Sequence, residues 1–103
     1  METVFLNRSH LSDEAFPITA ALNTATEIDY RHKSGGGFTV PHGTAITQIT
    51  VYAAARLGGH YVAVATIAVA QDTPYSLPDA AFPYGGLKLV GDQAGVIGLA
   101  IKS

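Results

Sequence analysis

The chain has 103 residues, the length of one domain, of which 14% are charged, and its net charge is −2. No Lys/Arg cluster occurs, so the basic stripe that drives phosphate-backbone binding is missing and no nucleic-acid partner is expected. There is no cysteine, which excludes disulfides and thiolate zinc sites.

An average soluble domain carries about 25% charged residues. The deficit leaves part of this surface apolar or merely hydroxylic, which suits a subunit covered by neighbours better than a lone monomer. Met1-Glu2 followed by Val4-Phe5-Leu6 lacks the basic region and long apolar core of a signal peptide. The longest apolar run, residues 61–70, is broken by Thr66 and is too short to span a membrane as a helix. A protein made in the cytoplasm, with no membrane partner, is expected.

In chain order, residues 3–6 form a short first strand or an arm, and residues 7–14 favour turns. Ser12 ahead of Asp13-Glu14-Ala15 caps at most one helical turn before Pro17. Residues 19–22 and 24–30 read as strands. In the second, Glu27 and Asp29 alternate with Ile28 and Tyr30, which places the acids outward. Residues 31–37 combine charge with Gly35-Gly36-Gly37 and read as a flexible loop, the three glycines giving a mobile tip or a close backbone approach, after which Phe38-Thr39-Val40 is extended.

Residues 46–71 hold the strongest pattern. Thr47, Ile49, Val51 and Ala53 share one parity and Gln48, Thr50 and Tyr52 the other, a strand with one buried face. The following run is apolar on both parities and is expected to be covered on both faces. Gly58-Gly59 supplies the positive φ of a tight turn, so the two runs form an antiparallel hairpin at the centre of a β-sandwich. Residues 72–86 carry three prolines and exclude a continuous element, with one helical turn at Pro78-Asp79-Ala80-Ala81. Residues 87–90 and 96–101 read as a second hairpin. Ile97, Leu99 and Ile101 point to the core, while Gly98 and Ala100 leave a smooth outer face. The fold class is all-β: a single-domain antiparallel β-sandwich or jelly roll with short helical turns in its loops.

No motif announces catalysis. His10, His32, His42 and His60 lack the i, i+2 or i, i+4 spacing that aims two ligands together, so a metal site needs His32 and His42 to converge with Glu27 or Asp29. Neither nucleophile-elbow nor phosphate-loop context surrounds any serine or glycine run. Glu27 and Asp29 share a face, but Arg31 and Lys33 continue that parity, the pattern of a solvated charged stripe. Tyr75, Phe82 and Tyr84 cluster in the proline-rich link. They either fold back as a lid on the sandwich or serve as contact residues, since aromatics offer large area at small entropy cost.

In size, lack of cysteine, abundance of Ala, Thr, Val and Gly, and the stretch Phe82-Pro83-Tyr84-Gly85-Gly86-Leu87-Lys88-Leu89-Val90-Gly91-Asp92, the chain resembles the small β-sandwich or jelly-roll decoration (cement) proteins of tailed-bacteriophage capsids. The resemblance implies a non-enzymatic virion protein on the capsid surface, without a cofactor. Its partners would be itself, as a homotrimer, and the major capsid protein, often gripped by an extended terminal arm. Residues 1–16 are the candidate arm. Phe5, Arg8 and His10 within it, and Tyr75, Phe82 and Tyr84 in the long link, are the candidate interface residues. Two rivals use the same residues differently. One is a carbohydrate-binding sandwich with the aromatics as stacking platforms and Asp79 or Asp92 as acceptors; the other is a small cupin-like enzyme with a metal at His32, His42 and a carboxylate.

Overall fold

Alternating apolar residues make eight strands, and prolines and glycines punctuate them. The structure, a computed structural model, describes residues 10–31, 33, 35–81 and 83–102. In chain order the strands are β1 (His10–Ile18), β2 (Ile28–Asp29), β3 (Gly35–Val40), β4 (Gln48–Ala54), β5 (Val62–Ala68), β6 (Thr73–Ser76), β7 (Gly86–Gly91) and β8 (Gly95–Lys102). Two single 3-10 turns, Leu22–Thr24 and Asp79–Ala81, are the helical elements among the described residues. The second falls where Pro78 opens a helical turn in the sequence reading.

The strands form two four-stranded sheets, in the orders β1-β8-β3-β6 and β2-β7-β4-β5. Every ladder is antiparallel. This interleaved order is that of a jelly roll, in which a chain doubled back on itself is rolled so that successive strands, β4 and β5 excepted, fall in alternate sheets. Between the layers lie Ile18, Val40, Ile46, Ile49, Val51, Leu87, Leu89 and Ile97, all essentially inaccessible to water. Burying each such aliphatic side chain is worth about 1.5–3 kcal/mol, which makes this layer the main source of stability.

Several expectations hold. Ile49, Val51 and Ala53 of β4 are buried while Gln48 is exposed, and β4 pairs β5 across a turn in which Gly58 has φ 75°. Ile28 and Tyr30 are buried between exposed Glu27 and Asp29. In β8, Ile97, Leu99 and Ile101 are buried and alternate with half-exposed Gly98 and Ala100.

Others are corrected. Residues 10–18 form a nine-residue strand instead of turns, so an arm is confined to residues before His10, which lie outside the described ones. Pro17 is tolerated because β1 is an edge strand, paired only with β8. Residues 19–22 and 24–30 contribute only the two-residue β2, with a 3-10 turn between. The run 61–70 is not covered on both faces and is not central. Its strand β5 is the outer strand of its sheet, with Val62, Ala63, Thr66 and Ala68 exposed. The last two strands form no hairpin, because β7 and β8 lie in different sheets.

The glycine triplet is likewise no loop. Gly35 to Gly37 open β3, which is bonded on both sides, to β8 and to β6. A Cβ on Gly36 would sit 2.5 Å from the Ala100 carbonyl oxygen, and one on Gly37 2.5 Å from that of Tyr75. The backbones approach so closely that only glycine fits. Gly36→Ala is therefore expected to lower the stability measured by urea unfolding by about 1–3 kcal/mol, the usual cost of overpacking, because the obstacle is backbone and cannot swing aside.

Candidate functional site

The jelly roll brings together residues from distant parts of the chain at one end of the β2-β7-β4-β5 sheet. Tyr61, just before β5, crosses the outer face over the end of β4, and its hydroxyl lies where a Cβ of Gly86 would be. That hydroxyl donates to the Glu27 carboxylate, 34 residues away, which also accepts from the backbone N–H of Gly58 in the hairpin turn. The Lys88 ammonium sits 5.0 Å from the centre of the Tyr61 ring, a cation–π distance, and donates to the carbonyl of Leu22. The Tyr61 hydroxyl and the Gly58 amide hold the Glu27 carboxyl below its usual range. Burial and the same hydrogen bond to Glu27 push the Tyr61 phenol upward. Glu27 thus stays ionised and Tyr61 stays protonated at neutral pH, which makes the group a fastening and not an acid–base pair.

The other carboxylates are occupied in the same way. Asp29 receives two hydrogen bonds from the Arg31 guanidinium, Nε at 2.9 Å and Nη2 at 2.7 Å, and one from its backbone N–H at 3.1 Å. These lower its pKa strongly. Asp92, in the turn between β7 and β8, accepts from the Thr47 hydroxyl and from the backbone N–H of Thr47 at 2.9 Å and of Gln48 at 3.2 Å. It ties the start of β4 to that turn, and its own pKa is lowered, first by the Thr47 hydroxyl. His42 and Asp72 are an exposed pair 3.2 Å apart.

Among the described residues, those singled out from the sequence do not converge. Phe5, Arg8, His32 and Phe82 lie outside the described residues, and His10 opens β1 opposite Lys102. Among the described residues no group of three His, Cys, Asp or Glu is placed to hold a metal. Glu27, Asp29 and His42, the remaining members of the metal reading, are each engaged with a different partner. Tyr75 folds inward from β6. Its ring stacks on Phe38 with centroids 5.5 Å apart, and its hydroxyl accepts from the Ala70 N–H at 2.8 Å. Tyr84 stays at the surface, where it joins His60, Val62, Ala63 and Val64 around a hollow of about 330 Å³ beside β5. A second hollow, of about 380 Å³, lies over the smooth outer face of β3 and β8 and is lined by Gly35, Gly36, Gly37 and Ala100 with Ser76 and Lys102. Neither holds a set of convergent ionisable groups.

Tyr61, Lys88 and Thr47 escaped the sequence reading. Their partners are 34 to 66 residues away, at Glu27, Leu22 and Asp92, and no local spacing signals them.

The lowered carboxyls set a pH dependence. A group whose folded pKa lies below its unfolded value of about 4 stabilises the fold above that value and loses the effect as pH falls through the folded one. The thermal midpoint is therefore expected to fall on acidification below about pH 4, and less steeply in Asp92→Asn, whose remaining amide oxygen still accepts but no longer titrates. In Tyr61→Phe, an NMR titration of Glu27 is expected to return its pKa toward the ordinary value. No family model, curated protein or solved structure matches this chain.

Proposed function

We propose that the protein is a non-enzymatic virion component, an oligomeric decoration protein that binds a tailed-bacteriophage capsid and stabilises it. The jelly roll serves viral capsid proteins, lectins and cupins alike, so the choice among them rests on the surface and not on the fold. The observation that carries the reading is where the polar side chains go. Glu27, Asp29 and Asp92 are held by the chain's own turns and neighbours. What faces outward on the strands is small and mostly uncharged: Ala63, Thr66 and Ala68 on one sheet, and Thr39, Pro74, Ser76 and Val96 on the other. Such a skin offers area and backbone for contact instead of a focused site.

Sugar binding draws less support. Of the two aromatic platforms that can be placed, Tyr75 is packed against Phe38, and the acceptor Asp92 is already engaged. On a lattice many weak contacts act together. Each interface needs only several hundred Å² at roughly 25 cal/mol/Å², because linked copies bind as a set. Trimers bridging neighbouring coat subunits, as in the decoration proteins the chain resembles, fit this arithmetic.

The test is co-sedimentation of the purified protein with emptied tailed-phage capsids, read together with its own mass in sedimentation. Saturable binding by an oligomer is expected. A monomer that leaves the capsids untouched and binds a glycan on an array would replace this reading by the carbohydrate one.

A further inference from the structure

Among the described residues the jelly roll ends in four strand edges that no other strand pairs, β1 and β6 on one sheet and β2 and β5 on the other. An unpaired edge templates any passing strand, and proteins blunt it with charge, proline or shortness. Three of the four are blunted. β1 carries Asp13, Glu14 and Pro17, β6 has four residues including Pro74, and β2 has two, next to the Asp29–Arg31 ion pair. β5 has seven residues and neither a charge nor a proline, and residues 61–70 around it hold no Lys, Arg, His, Asp or Glu. Its one irregularity is the extra residue Val64, which leaves residues 65–68 regular. Val62 is 57% exposed and Tyr84 37%, and the two line one hollow at the start of this strand.

We propose that β5 is a self-association strand: two copies pair antiparallel through their free β5 edges about a two-fold axis at Thr66, making one continuous sheet of their two four-stranded ones. The occupant follows from charge. Across a two-fold axis every residue meets the same strand of the other copy, so any charge near the axis faces its own like, which costs several kcal/mol. Among these edges only β5 combines length with the absence of both charge and proline, so it is the edge that accepts itself. In this register Val64 lies opposite Ala68 of the second copy, and Thr66 opposite Thr66. The hydroxyls of Thr50 and Thr66, 3.3 Å apart on the outer face, then continue into those of the second copy, a favourable cross-strand pairing. The end of the second strand, Val69 and Ala70, arrives at the hollow of Val62 and Tyr84, adding apolar area at both ends of the contact.

The pairing is independent of capsid binding. It closes at two, so it joins two monomers or links two larger oligomers by a contact distinct from the one that builds them. The full chain is therefore expected to sediment as an even number of copies, two or six, at concentrations up to about 100 μM. Thr66→Lys, at an exposed position on the outer face, is expected to halve that mass by weakening the contact at least about tenfold, with the circular dichroism spectrum unchanged. Mixing the Thr66→Lys and Thr66→Glu proteins is expected to restore the doubled mass, since opposite charges then meet at the axis. A wild-type monomer or trimer, or a Thr66→Lys protein that keeps the full mass while folded, would overturn the proposal. So would a mixture that stays at half mass.

Discussion

The turn at residues 56–59 organises everything else, because the chain is folded back on itself there and the pairing spreads outward from it. β4 bonds to β5, β3 to β6, β2 to β7 and β1 to β8. The doubled chain is then rolled, and the cross-pairs β3–β8 and β4–β7 knit it into two sheets. Glu27 holds this turn from outside by accepting from the Gly58 amide and the Tyr61 hydroxyl. The first link of the roll is thus fixed by a side chain from near the start of β2, and the register of β4 is held at its other end by Asp92.

Using carboxylates this way has a functional side. A carboxylate that accepts two or three hydrogen bonds within its own chain is a poor base and a poor ligand, because both roles require it to give those bonds up. Glu27, Asp29 and Asp92 are of this kind. What the strands expose among the described residues is small and weakly charged, and the proposed decoration role rests on that character.

Strand character was legible because alternation is local: Ile49-Val51-Ala53 and Ile97-Leu99-Ile101 declare their buried faces without reference to the rest of the chain. Partnership was not. β7 and β8 are separated by a short turn with Gly91 and Gly95, as hairpin strands are, yet Gly91 ends one sheet and Gly95 begins the other. Only β4 and β5 among consecutive strands pair, which is why the sequence showed that hairpin correctly and invented a second. The glycine triplet allowed either a mobile tip or a close backbone approach, and local sequence does not choose between them because the deciding carbonyls, of Ala100 and Tyr75, come from residues far along the chain. The same distance hid the Glu27–Tyr61 fastening, while β5 looked like an interior strand because its composition is that of one.

The place of β8 carries a kinetic consequence. It lies between β1 and β3, which share no bonds of their own, so β1 cannot join the β3–β6 pair in one sheet until residues 95–102 have been synthesised. The β4–β5 hairpin closes over a short loop, but β1 and β8 meet only after nearly the whole chain has been gathered in, a loop-closure cost that slows folding in topologies dominated by distant contacts. Until then Phe16 and Ile18 of β1 have no strand partner to cover them, and apolar surface left open in this way favours aggregation of the incomplete chain.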